Sequence, residues 1–189
     1  QYSYLARDIR TDIPAKQEPY KKSKASAKEG ASWLFNIKCI NKSTKPIFIV
    51  EGEIDALSII EVGGEAIGLG SVVNADKFIE IAKAHKPKKP LLLALDDDLV
   101  GITTKESIAN ALIEANIDYY IVNVNNGTKD PNEALIKDRE AFTDIVQRYT
   151  RLDPTLVDKE NYDKYCNNSS LSDLDTLLEI IDKSKNNNY

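Results

Sequence analysis

The chain has two cysteines, Cys39 and Cys166, one histidine, His85, and no methionine among its 189 residues. A structural zinc site usually takes four Cys or His ligands at short spacings, and three scattered candidates exclude one. A disulfide framework is equally unsupported, so a reducing cytosol is the expected compartment. Any catalytic triad needing an imidazole would have to use His85, which lies in KAHKPKK and reads as a solvated helix end. No apolar run approaches the roughly 18–20 residues of a membrane span. The opening QYSYLARDIR is polar and has no apolar signal region. GxxxxGK[ST] occurs nowhere, and Gly68-Leu69-Gly70 is followed by Val73 where a dinucleotide fingerprint needs a third small residue. P-loop and dinucleotide-binding readings therefore fail. With no methionine and Gln1 at its start, the sequence reads as a piece of a longer protein.

What is present suits one compact domain with appendages: 42% apolar and 29% charged residues, enough for a core. The net charge of −5 is unevenly spread. Residues 1–46 hold ten basic side chains against four acids, or +6, which leaves −11 for the remainder. Such a basic arm suits a nucleic-acid backbone or, equally, a solvated linker.

The middle of the chain alternates between two periodicities. Short apolar runs at 46–50, 66–69, 91–95 and 119–122 read as buried strands. Between them lie helical spacings: Ile54, Leu57 and Ile60, stopped by Gly63-Gly64; Phe78, Ile81 and Ala82 after a start near Asn74; and Ile108, Ala111, Leu112 and Ala115. Further helices are expected at 131–137 and 139–149. This order predicts an α/β fold, a parallel sheet of about four strands with helices on both faces. The expected division is a basic segment 1–45, a catalytic domain 46–149 and a polar linker with a C-terminal helix in 150–189. That last helix carries Leu174, Leu177, Leu178 and Ile181 behind a cap at Ser170 or Ser172.

In an open parallel sheet, ligands bind outside the carboxyl ends of the strands. The first strand ends in Glu51-Gly52-Glu53-Ile54-Asp55, the third in Asp96-Asp97-Asp98-Leu99-Val100-Gly101. The fourth leads to Gly127-Thr128-Lys129-Asp130-Pro131-Asn132-Glu133. A lone acidic triplet is usually a solvated surface, but three acidic loops at one sheet edge need a cation, because like charges oppose joint ionisation. Alternate residues of an extended chain share a side, so Asp96 and Asp98 can hold one ion. Magnesium takes hard oxygen ligands and commonly only one or two carboxylates. Glu51 is placed to move a proton or share the metal. Gly101 opens a helix whose N-terminal amides suit a phosphate, and Lys129 is a candidate phosphate contact. Trp33 and Phe35 could stack on bases, but their apolar neighbours favour packing against the domain.

Together, IVEGEIDALS, GGEAIGLGS, LLLALDDDLVG and KDPNEAL resemble the Toprim domain, the metal-binding catalytic fold of DnaG-type primases, topoisomerases and some nucleases. The resemblance covers roughly residues 46–137. LGS and KDPNEAL resemble the primase branch, and Leu34-Phe35-Asn36 with EGEIDALS resembles primases of phages and mobile elements. The resemblance implies Glu51 as general acid/base and Asp96 and Asp98 as the pair binding Mg²⁺ or Mn²⁺. It implies Asp55 and Asp130 as further acids of the metal cluster. Asn132 stands where a second acid is common, Asp97 where Gly or Asn is usual, and Leu99-Val100 replaces a more polar pair.

The implied function is metal-dependent synthesis of RNA primers from ribonucleoside triphosphates on single-stranded DNA during phage or mobile-element replication. A replicative helicase is an expected partner, and a membrane is not. A Toprim nuclease using the same acids and a non-catalytic module binding nucleic acid or a helicase are the alternatives.

Overall fold

The computed structural model describes residues 5–7, 22–24, 34–96 and 98–151. The chain divides into two compact units, residues 1–33 and 34–189. In the first unit, β1 (Leu5–Arg7) pairs antiparallel with β2 (Lys22–Lys24), Ala6 opposite Ser23. The expected C-terminal helix, Trp33 and Asp97 lie outside the described residues.

The second unit is built on four parallel strands: β3 (Ile47–Val50), β4 (Glu65–Gly68), β5 (Leu91–Leu93) and β6 (Tyr119–Ile121). Their order across the sheet is β4-β3-β5-β6. The helices between and after them are α1 (Glu53–Glu61), α2 (Ala75–His85), α3 (Leu99–Glu114), α4 (Pro131–Lys137) and α5 (Arg139–Thr150). The expected α/β architecture is therefore present.

The two-residue alternation of the strands separates two cores. Phe48, Val50, Leu92 and Ala94 face one side, where Ala56 and Ile59 of α1, Ala134 of α4, and Phe142 and Val146 of α5 cover them. Ile47, Ile49, Leu91 and Leu93 face the other, under Phe78 and Ala82 of α2 and Ile108 and Leu112 of α3. Phe48, Phe78 and Phe142 have no accessible surface, and burial of such a side chain contributes about 1.5–3 kcal/mol. Burial on both faces explains why these strands read as continuous apolar runs.

The strands are shorter than the apolar runs. The β5 ladder ends at Leu93, yet Ala94 N–H still donates to the Ile49 carbonyl at 2.9 Å, and Ala94 and Leu95 stay buried. After α1, Gly63 adopts φ +90° and its amide bonds the Ile60 carbonyl, while Gly64 bonds Ile59, both at 3.0 Å. That left-handed turn is open to glycine at little steric cost, so the sequence signal for a helix stop is matched. Phe35 exchanges backbone hydrogen bonds with Gly68 at 2.8 and 3.3 Å and packs on the α1-side core. It is a packing residue, as its apolar neighbours indicated, and it covers part of the β4 edge. His85 ends α2 and is exposed, as expected.

Candidate metal and nucleotide site

The chain leaves β3 toward β4 on one side and returns to β5 on the other. The crossovers diverge between β3 and β5, so the carboxyl ends of these two strands form the topological switch point of the sheet. Glu51 follows β3 directly, and Asp96 follows the buried Ala94-Leu95 extension of β5. The loop after β6 is anchored by buried Val124 and Asn125, with the Asn125 side-chain amide donating to the Lys129 carbonyl at 3.1 Å. It delivers Asp130 to the same rim.

Three of the five expected acids are also helix caps. Asp98 is the N-cap of α3, accepting from Gly101 N–H at 2.8 Å. Asp130 caps α4 and accepts from Glu133 N–H at 2.8 Å. Asp55, in the first turn of α1, accepts from Gly52 N–H at 3.2 Å. Each helix N-terminus presents unpaired amides and positive dipole, which hold these carboxylates at the sheet rim.

Electrostatics bring the five together. Burial pushes the Glu51 carboxyl above the usual carboxylate range, and the charges of Asp96, Asp98 and Asp55 add to it. Hydrogen bonding from the Asp96 backbone offsets part of this rise. Asp55 is also raised, first by burial, then by Asp130 and Asp96, against hydrogen bonds from the backbones of Asn132 and Gly52. Asp96 acts on both residues and stands electrostatically between them. Glu51 Oε1 is buried and has no hydrogen-bond partner among the described residues. Leaving an acceptor unpaired away from water costs about 1–3 kcal/mol.

Gly101 sits in the first turn of α3, not at the bend before it, and its φ is not positive. Its need for glycine is steric: a Cβ there would lie 2.9 Å from the Asp96 carbonyl carbon and 3.0 Å from Glu51 Oε1. Its amide is engaged by Asp98, so the helix opening is closed by a carboxylate of its own chain. Lys129 is exposed, and its backbone N–H donates to Glu133 at 3.3 Å. Asn132 turns its amide to Ser58 of α1 at 3.1 Å, a strut between α4 and α1. The replacement of an acid by Asn132 thus has a packing role that its sequence position did not reveal. Leu99 and Val100 are exposed at the start of α3.

Among the described residues, no group of three or more Asp, Glu, His or Cys side chains closes on a single ion position. The donors are all hard oxygens, and magnesium commonly takes one or two carboxylates and fills its remaining positions with water and phosphate. An orphaned Glu51 oxygen among mutually repelling acids fits such a cation.

The family described as Toprim-like matches residues 48–135, the stretch that carries the parallel sheet and its acidic edge. A DNA primase of Mycoplasma genitalium is 35% identical over 101 residues, covering 53% of this chain and 17% of that protein. The primase fragment of the bacteriophage T7 primase-helicase protein superimposes with a TM-score of 0.52 at 24% identity. It covers 66% of this chain and 53% of its own. The Aquifex aeolicus primase, comprising zinc-binding and RNA polymerase domains, gives 0.53 at 19% identity, covering 86% of this chain and 41% of its own. Residues 48–135 are thus a Toprim-like stretch whose sequence is similar to that of DNA primases. The chain spans about a sixth of the length of the M. genitalium relative.

Proposed function

We propose that residues 46–149 are the catalytic domain of a DNA primase that joins ribonucleotides on a single-stranded DNA template. The observation that carries this reading is the buried, unpartnered Glu51 Oε1 beside Asp96 at the switch point of a primase-family Toprim domain. In the reaction, the 3′-hydroxyl oxygen of one nucleotide bonds to the α-phosphorus of the next. The bond from that phosphorus to pyrophosphate breaks, and pyrophosphate leaves.

Glu51 receives the hydroxyl proton. Its raised pKa makes it a stronger base than an ordinary carboxylate. Asp96 and Asp98 would hold Mg²⁺ or Mn²⁺, with Asp55 and Asp130 as further acids of the same cluster. Such an ion, when bound, neutralises charge on the transferring phosphoryl group and acidifies the hydroxyl. Lys129 reaches a nucleotide phosphate from the exposed α4 side. Gly101 keeps the wall of the site thin enough for Glu51 to lie against α3.

The basic segment 1–45 guides the template, and residues 150–189 link the domain to other parts of a longer cytoplasmic protein. The T7 neighbour is a primase-helicase, which supports a helicase partner for this domain. The test is priming by the full-length protein on single-stranded DNA with Mg²⁺ or Mn²⁺. Wild type is compared with Asp96→Ala and with Asp98→Asn, which removes charge but retains the cap. Loss of primers in both variants supports the reading, and unchanged product rejects it. Cleavage of DNA or RNA without nucleotide addition would instead identify a Toprim nuclease.

A further inference from the structure

Lysine is almost never fully buried without a compensating charge. Lys105 of α3 is nonetheless only 8% exposed. It shares the inward face of the helix with Gly101, Ile108 and Leu112, all buried, at spacings of four, three and four residues. Gly101 marks where this face meets the acids, since a Cβ there would touch the Asp96 backbone and Glu51 Oε1. Four residues of helix rise about 6 Å, a span an extended lysine side chain covers. Helical side chains lean toward the N-terminus, which in α3 is the Asp96–Asp98 end. Neither Asp96 nor Lys105 lacks a polar interaction.

We propose that Lys105 is a positioning residue of the site, an internal countercharge that holds Asp96 and Asp98 in place until a divalent cation binds. The proposal rests on the divalent-ion reading above and adds a resident cation to it. Five carboxylates on one rim repel each other in the metal-free protein, and an ammonium fixed beneath them offsets that repulsion. When the divalent ion arrives, the same ammonium opposes it. The lysine therefore favours the empty site and weakens ion affinity, which makes release reversible.

The test uses the full 189-residue chain with Lys105→Met, close in length and neutral, and Lys105→Arg, which keeps the charge. Mn²⁺ affinity is measured by calorimetry and Tm with and without Mn²⁺. The expected result for Lys105→Met is Mn²⁺ binding about three- to tenfold tighter, the scale of one charge acting through protein. Its Tm should fall more without metal than with it, while Lys105→Arg stays near wild type. Equal falls in both conditions with unchanged or weaker Mn²⁺ affinity would overturn the proposal and leave Lys105 as packing.

If Lys105→Met does not fold, adding Asp98→Asn decides the matter. Recovery of folding supports a countercharge, and no recovery rejects it. Failure of wild type to bind Mn²⁺ would reject the divalent-ion reading by itself. The metal-free comparison of Lys105→Met with Lys105→Met/Asp98→Asn would still test the lysine.

Discussion

Glu51 Oε1 lies 3.0 Å from the point a Cβ would occupy at Gly101. The backbone carbonyl oxygen of Asp96 lies closer still, so the first turn of α3 has no room for one methyl group. Gly101→Ala is expected to cost about 1–3 kcal/mol, the range for overpacking a filled position. Gly101 has helical geometry, so alanine's better helix propensity, worth about 1 kcal/mol, offsets part of that loss. Urea unfolding checks the sign, and a stabilised Gly101→Ala variant would show that the contact yields easily.

Divalent ions should raise Tm, because a ligand that binds only the folded state stabilises it by mass action. The gain should vanish in Asp96→Ala. Asp98→Ala and Asp98→Asn should both lose it. Only Asp98→Ala should also lose the N-cap, worth about 0.5–2 kcal/mol, in the absence of metal. Thermal melts across a Mg²⁺ titration separate the two contributions, and a flat wild-type curve would remove the metal from the site.

The raised pKa values of Glu51 and Asp55 fix the direction of a pH effect. A carboxyl that binds its proton more tightly when folded favours the native state below the ordinary carboxylate pKa. That contribution is lost as pH rises through the folded value. Metal-free wild type should therefore lose stability from the ordinary carboxylate range toward neutrality. Glu51→Gln should flatten this decline and be more stable than wild type near pH 7 without metal. Denaturant midpoints across that range test it, and a decline unchanged in Glu51→Gln would place the strain elsewhere.

The Asn132–Ser58 strut predicts that Asn132→Ala costs about 0.5–1.5 kcal/mol, the net value of a hydrogen bond. Asn132→Asp should cost more without metal, since the added charge sits beside Asp55 and Asp130. If divalent ions then restore its Tm beyond that of Asn132→Ala, the loop between β6 and α4 belongs to the metal cluster. No difference between the two variants with metal would exclude it.

The sheet was legible because Ile47 to Val50 and Leu91 to Leu95 are apolar on both faces, a pattern solvent-facing elements do not show. Ladder ends were less legible: Ala94 and Leu95 are as buried as the strand before them, and only hydrogen bonding distinguishes them. The acidic rim was readable as position, since Glu51, Asp96 and Asp130 each follow a strand. Its capping roles were not separated from chemistry. Asp98 three residues before Gly101, and Asp130 three before Glu133, are cap spacings already visible in the sequence. The antiparallel bridge at Phe35 depends on Gly68, far along the chain, so no local pattern announced it.

The dual employment of Asp55, Asp98 and Asp130 has an evolutionary corollary. On the proposed function, a descendant that lost catalysis would still be selected to keep those three, because the scaffold itself leans on them. Glu51 and Asp96, which occupy no helix N-cap position among the described residues, would drift first. In surveys of such sequences, the informative witnesses to a living enzyme are that pair, and not the more numerous aspartates around them.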